Sequence, residues 1–424
     1  MNTELYNTYV GILKEELVPA MGCTEPIAIA YASALAKKAL GCMPESVKVW
    51  ASANIIKNVK SVVVPNTGGK RGIAAATVAG LVSGDASSEL QVLSNITEEQ
   101  RAEIQSCLEK LEIEVLQSQK PYIFNIQVEV KANGHTAFAE IAGQHTNVIC
   151  VKYDNTVILS KDYQEVTSEP LSRYLLTVED IIDFADEVDL EDVKEVLERQ
   201  IAYNTAIAEE GLTGKWGAKV GLTLLNAYGD SVHNKAKAYA AAGSDARMNG
   251  CELPVIITSG SGNQGMTTSL PVIVYAKEMG VSHEKLLRAL VVSNLITIHL
   301  KTYIGRLSAY CGATSAGCGA AAGICYLHGG TAHSVSHTVV NAVAINSGMI
   351  CDGAKSSCAG KIASAVEAGL LGFQMQQQKT QFYAGEGIVT KGVENTIKNV
   401  GQVARLGMAE TDKEIIHIMI GGCC

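Results

Sequence analysis

Twelve cysteines in a chain of 424 residues are the first place to look for chemistry, because a thiolate is both a nucleophile and a metal ligand. Three of them, Cys311, Cys318 and Cys325, recur every seven residues in CGATSAGCGAAAGIC and would share one face of a continuous helix. Seven residues rise about 10.5 Å along such a helix, too far for neighbouring ligands of one compact cluster. At most one of the three is therefore expected to bind a cofactor, while the others pack against another helix. Cys351 and Cys358, in GMICDGAKSSCAG, differ: Gly353 and the surrounding Asp and Ser suggest a turn that can fold both thiols towards one point. Cysteine thiolates are the usual holders of iron–sulfur cofactors. The compact ferredoxin spacings are absent, however, and so is the short paired-Cys spacing of structural zinc sites.

Two glycine-rich segments offer a different chemistry. Thr258-Ser259-Gly260-Ser261-Gly262-Asn263-Gln264-Gly265 follows the apolar run LPVIIT and precedes a helix, so its backbone amides can hold a carboxylate or a phosphate. The alternative is a tight structural turn. PNTGGKR (65–71) repeats the arrangement with a Lys and an Arg nearby, and could also grip a carboxylate. His333 and His337 are spaced like a helical metal pair, but no adjacent Glu completes a metalloprotease pattern. A capped or core role is expected for both, and a core role for His299 in LITIHL. Cys42, Cys107, Cys150 and Cys251 each stand alone and read as small buried apolar residues. Cys423 and Cys424 follow two glycines, and are either inert or able to reach back to a cofactor.

The elements that must position these groups are partly readable. Helices are expected over 3–18 and 26–40, broken around Val18–Pro26, with Pro26 suited to the first turn of the second. From Ser46 to Val64 the pattern is β-like, with VKVWASANI and SVVVP as strands, followed by an Ala/Gly-rich helix over 71–83. Alternation through 122–160 predicts two hairpins, turning at Asn133-Gly134 and near Asp154-Asn155. Beyond about residue 175 nearly everything reads as helix, including 178–199 and 270–280. The fold class is therefore α+β: a mainly helical catalytic domain, residues 1–44 and 170–424, with an inserted smaller α+β domain, residues 45–169.

Bulk properties narrow the function. The net charge is −9, and no run of Lys and Arg is long enough to track a phosphate backbone, which argues against nucleic acid. The N-terminus does not read as a signal peptide, and no stretch of about 20 apolar residues suggests a membrane span. A cytoplasmic protein is expected, whose thiols stay reduced. The Ala/Gly-rich helices make a homodimer plausible.

Taken together, MGCTEPIAIAYA (21–32), SVVVPNTGGKRGIAAA (61–76), TSGSGNQGMTTSLPV (258–272), LKTYIGRLSAYCG (300–312), SGMICDGAKSSCA (347–359) and NTIKNVGQVARLGMAETDKEII (395–416) carry a resemblance. The chain resembles, over essentially its full length, the L-cysteine desulfidase family, relatives of the iron–sulfur L-serine dehydratases. The resemblance implies α,β-elimination of L-cysteine to pyruvate, ammonia and hydrogen sulfide, using a [4Fe–4S] cluster with one open iron. It implies Cys311, Cys351 and Cys358 as cluster ligands, and Cys23 as the catalytic base or as a ligand in place of Cys358. The substrate, a small amino acid, would be bound by Asn66, Thr67, Gly68 and Lys70 and by Ser261, Gly262, Asn263 and Gln264. The alternatives are an iron–sulfur L-serine dehydratase and a pyridoxal-phosphate lyase, for which Lys57, Lys60 and Lys70 are the available Schiff-base lysines.

Overall fold

The computed structural model describes residues 1–22, 24–164, 171–305 and 308–421. Eight strands are present: β1 (Pro19–Met21), β2 (Ser46–Ala51), β3 (Glu112–Gln117), β4 (Asn125–Ala132), β5 (His135–Ala142), β6 (Val148–Tyr153), β7 (Thr156–Ser160) and β8 (Pro254–Ile256). Six form one sheet in the order β3-β2-β4-β5-β6-β7, antiparallel except for the β2–β3 pair. Asn133 (φ 52°) and Gly134 (φ 78°) turn the β4–β5 hairpin in the left-handed region that a two-residue loop requires. One face of the sheet is apolar, with Val47 and Val49, Ile126 and Val128, and Ala139 and Ile141 alternating inward. Helices Thr24–Leu40 and Gly72–Ser83 cover that face. They approach so closely that a Cβ on Gly80 would fall inside the Ala30 carbonyl.

The remainder is a helical body with its own core. At its centre, helix Gly312–Leu327 is buried along nearly its whole length among helices Gly262–Met279, His283–Ile304 and Cys358–Gln377. Its small residues make this packing physical: a Cβ on Gly317 would strike the Ala365 carbonyl, and one on Gly319 the Ser293 carbonyl. No helix among the described residues is long and apolar enough to cross a membrane.

The α+β, mainly helical architecture expected from the sequence is present. Four local readings differ. Residues 53–59 form a helix, not a strand, because Ile55, Ile56 and Val59 bury one helical face. The SVVVP run makes only one bridge, Val63 to Arg71, since the chain doubles back at once through Pro65–Gly69. The 178–199 span is two helices, Val178–Glu187 and Lys194–Gly211, with Asp189 starting a short 3-10 turn between them. Helix Thr24–Leu40, grouped on sequence with the helical body, buries its side chains in the sheet core, so the chain changes core after β1.

One buried acid makes the helical body's stability pH-dependent. Asp245, fully buried, accepts a hydrogen bond from Gly221 N at 3.0 Å, and burial pushes its carboxyl up to about 6. A carboxyl whose folded pKa is raised contributes its full stability below about pH 4 and loses it as pH rises through the folded value. Asp245→Asn should therefore gain on the wild type by up to about 3 kcal/mol between acid and pH 8, at 1.4 kcal/mol per pH unit. Urea midpoints across that range measure this; parallel profiles for the two proteins would refute it.

Candidate active site

The thiols meet where the two cores abut, and backbone pairing puts them there. Tyr310 and Ile350 form an isolated antiparallel bridge, flanked by hydrogen bonds from Cys311 N to Met349 O (2.9 Å) and from Cys351 N to Ala309 O (2.6 Å). Cys311 is the N-cap of helix Gly312–Leu327, with extended backbone, and so stands outside the helix. Cys318 and Cys325 lie within it, 2% and 0% exposed, their thiols pushed up to about 12 and 11 by burial. Cys358 begins helix Cys358–Gln377; its N–H donates to Lys355 O at 2.9 Å and its thiol to Gly353 O at 3.5 Å. Gly353 has φ 93°, and a Cβ there would collide with the Lys57 carbonyl, so only glycine lets the turn settle on helix Ala53–Val59.

Electrostatics in this corner favours the thiolate at Cys351 alone, while burial pushes the Cys358 thiol up. The Cys311 thiol donates to the Cys351 sulfur, which, with the charges of Lys57 and Lys301 and the Gly353 amide, holds Cys351 well below the ordinary thiol range. The same hydrogen bond, together with burial, holds Cys311 well above it; Cys351 and Cys358 add to the effect. Lys57 is almost fully buried and paired with Asp412. Asp352 pairs with both Lys355 and Lys361, and Lys361 Nζ also donates to Ile350 O at 2.6 Å. Among the described residues no three His, Cys, Asp or Glu side chains surround a single metal ion. A multi-iron cluster asks for something else, several thiolates facing a common space. Three cysteines within electrostatic reach of one another, with cations to offset their charge, fit that donor set.

The two glycine-rich loops converge on the same seam. β1 pairs antiparallel with β8 in the register Pro19↔Ile256, and Ile257 N donates to Val18 O, while Arg247 links Gly22 to Asn263. The 258–263 turn needs left-handed backbone at Ser259 and Gly260, and Ser261 then caps helix Gly262–Met279 through Gln264 N. Gln264 is 8% exposed with Oε1 unpartnered, and its amide fills the space a Cβ on Gly312 would take, next to Cys311. Asn263 Oδ1 accepts from Arg247 Nη1 at 3.3 Å, and Gly22 O accepts from Arg247 Nη2 at 3.1 Å. In the other loop, Asn66 (φ 62°) donates through Nδ2 to Leu93 O, and Thr67 is buried and bonded to Val64 O. Gly68 is exposed, with φ 69°, and Lys70 O accepts from Val64 N. The side chains of Asn66 and Thr67 thus have structural partners, while Asn66 also lines a cavity shared with Arg247.

Cys23, Cys423 and Cys424 lie outside the described residues. Two of the lysines offered for a Schiff base are committed elsewhere, Lys57 to Asp412 and Lys60 to Met419 O. His299 is a core residue as expected, its Nε2 bonded to Glu394 at 2.7 Å and its Nδ1 buried without a partner. His333 and His337 are not core: they face each other at the surface, Nε2 to Nε2 3.1 Å. Cys251 is buried as expected, whereas Cys42, Cys107 and Cys150 are half-buried at the edges of their core.

Two cavities lie near the start of helix Thr24–Leu40. The larger, 380 Å³, reaches Lys301, Ser259 and Gly260 and is walled by Glu25, Asn58 and His145. Glu25 accepts from Asn58 at 3.3 Å. The His145 Nε2 is buried without a partner; burial pushes the ring's pKa down, against the opposing charge of Glu25. The smaller, 170 Å³, lies between Gly22, Asn66 and Arg247. Sequence reading missed Arg247 and His145. The signal for Arg247 is a charged pair, Asp245 and Arg247, at the end of the small-residue run AYAAAGS, and nothing in AGQHTN marks His145.

The fold and site define a mainly helical α+β protein with a cysteine-rich seam. The model for the serine dehydratase alpha chain matches residues 87–417. The chain is 55% identical to a UPF0597 protein of Desulfitobacterium hafniense, covering 99% of this chain and 97% of that one. It is 50% identical to a UPF0597 protein of Lachnoclostridium phytofermentans (98% and 100%) and 47% identical to one of Finegoldia magna (97% and 99%). The chain belongs to the serine dehydratase alpha chain family.

The structure sets Cys311, Cys351 and Cys358 together and apart from Cys318 and Cys325, which pack inside a helix. After anaerobic reconstitution, alanine at Cys311, Cys351 or Cys358 should abolish iron retention, whereas Cys318→Ala and Cys325→Ala should keep it. The latter two should lose only about 1–3 kcal/mol of stability, as small core deletions do. Iron loss from Cys318→Ala with retention in Cys311→Ala would overturn this assignment.

Proposed function

We propose that this chain is an iron–sulfur lyase that eliminates sulfide from L-cysteine. The observation carrying this reading is the meeting of Cys311, Cys351 and Cys358 beside Lys57 and Lys301, in a chain of the serine dehydratase alpha chain family. The three thiolates would hold a [4Fe–4S] cluster, whose open iron supplies Lewis-acid stabilisation for the departing sulfur.

The chain's own residues account for the rest. Elimination takes a proton from Cα; its electron pair forms the Cα–Cβ double bond as the Cβ–S pair leaves with sulfur. Cys23 is the base in this reading. It sits between Gly22 and Thr24, where helix Thr24–Leu40 starts, and a helix N-terminus favours a thiolate. The Ser261–Gln264 and Asn66–Lys70 loops hold the amino acid so that its Cα proton meets the base. The resulting aminoacrylate tautomerises to an imine, which water hydrolyses to pyruvate and ammonia. The family name favours a second reading, in which L-serine loses water by the same steps.

Anaerobically reconstituted protein should bind close to four irons per chain, release pyruvate and sulfide from L-cysteine faster than pyruvate from L-serine, and stop in air. Full activity in iron-free protein would end the reading, and faster turnover of L-serine would replace it with the second. Cys23→Ser should keep its iron and spectrum while losing turnover at least ~100-fold, the usual contribution of a general base. It should also cease exchanging the substrate Cα proton with deuterated solvent. A Cys23→Ser protein arriving without iron would make Cys23 a ligand and leave Cys358 to be reassigned.

A further inference from the structure

The smaller cavity contains a cation whose hydrogen bonding is incomplete. Arg247 ends helix Val232–Met248 and is half-buried. Its two terminal nitrogens are engaged by Gly22 O and Asn263 Oδ1, but its Nε is buried with no partner. A guanidinium carries five N–H donors, and these two bonds use only two of them, so Arg247 has donors left for an acceptor in the cavity it lines. The guanidinium lies directly on Gly262, where an added Cβ would come within 2.5 Å of Nε, so that glycine is there to make room for the arginine.

The rest of the cavity describes the acceptor. At 170 Å³ it is small, with apolar walls from Val63, Pro65 and Leu93, the Asn66 side chain beside them, and the Glu252 carboxylate at its exposed rim. A cation inside, an anion at the rim and a short apolar wall match a zwitterion with a small side chain. The cavity is also one layer from the cysteines. Met248, next in sequence, packs with Val62 against Ala354 and Cys358. Asn249 then accepts from Ser356 Oγ at 2.9 Å and from Arg71 Nη2 at 3.0 Å. Residues 247–249 therefore join the Gly22 turn, both glycine-rich loops and the cysteine turn.

The geometry points to Arg247 as the anchor for the carboxylate of a small α-amino acid, with Glu252 facing its ammonium group. This rests on the proposed amino-acid lyase reading, and names the residues that hold that substrate. The larger cavity is the weaker candidate, because its Arg173 is already paired with Glu15 and Glu16.

L-Alanine is the appropriate probe: it has the zwitterion and a small side chain but no leaving group, so binding is read whether or not the protein turns over cysteine. Calorimetric titration of the reconstituted protein should show L-alanine binding and no binding of ethylamine, which lacks the carboxylate. Arg247→Met should weaken L-alanine about 10- to 100-fold, as expected for losing a hydrogen bond to a charged group, with iron content unchanged. If cysteine is turned over, KM should rise by a similar factor with kcat within a few-fold, the mark of lost ground-state binding. Glu252→Gln, at an exposed position where folding is not at risk, should weaken L-alanine but not propionate. Unchanged L-alanine affinity in Arg247→Met, or equal binding of ethylamine and L-alanine by the wild type, would overturn the assignment. Failure of cysteine turnover with the L-alanine results intact would instead count against the lyase reading alone.

Discussion

Two backbone hydrogen bonds, Cys311 N to Met349 O and Cys351 N to Ala309 O, decide where the chemistry of this protein can be. They belong to a single bridge, not to a sheet, yet they tie the start of one buried helix to a loop forty residues away. Without them Cys311 would be only the residue before a helix and Cys351 part of a surface turn. With them, two sulfurs share a proton beside buried cations. Everything else at the seam is arranged around that corner: Gly353 lets the cysteine turn rest on helix Ala53–Val59, and Lys57 brings its charge from the same helix.

The charge arrangement has its own logic. A buried lysine is stable only when paired, and Lys57 is paired with Asp412 from the C-terminal helix Ala409–Gly421. The pair places a positive charge beside Cys351, where it adds to the Cys311 hydrogen bond in holding that thiol below the ordinary range. The sheet-bearing part, the C-terminal helix and the cysteine turn thus make one electrostatic chain.

The large features of this arrangement were legible in the sequence, for physical reasons that can be named. Alternation through 125–142 is interrupted only by Asn133-Gly134, and that is the hairpin. The seven-residue cysteine spacing and the known rise of a helix allow at most one of Cys311, Cys318 and Cys325 to join a cluster, and Cys318 and Cys325 are core. What stayed hidden depends on contacts distant in sequence. Ile55, Ile56 and Val59 fit a helix, but the β-branched residues around them pulled the reading towards strand. Helix Thr24–Leu40 is apolar on all sides, so its pattern did not say which core would receive it. Arg247 is one residue among small ones; only the pairing of β1 with β8, which is three residues long, shows that it reaches Gly22.

The change of core just after β1 carries a thermodynamic consequence. Residues from the two sides of the seam meet at adjoining places, Lys57 with Cys351 at the cysteine turn and Asn66 with Arg247 around the smaller cavity. Anything gripped by both sides is favoured by the joined arrangement and not by a parted one, and so adds RT ln(1 + [L]/Kd) to the free energy of joining. Occupancy and cohesion are then one equilibrium seen from two ends. A ligand lost from the seam loosens the attachment of the sheet to the helices, and a loosened attachment releases the ligand.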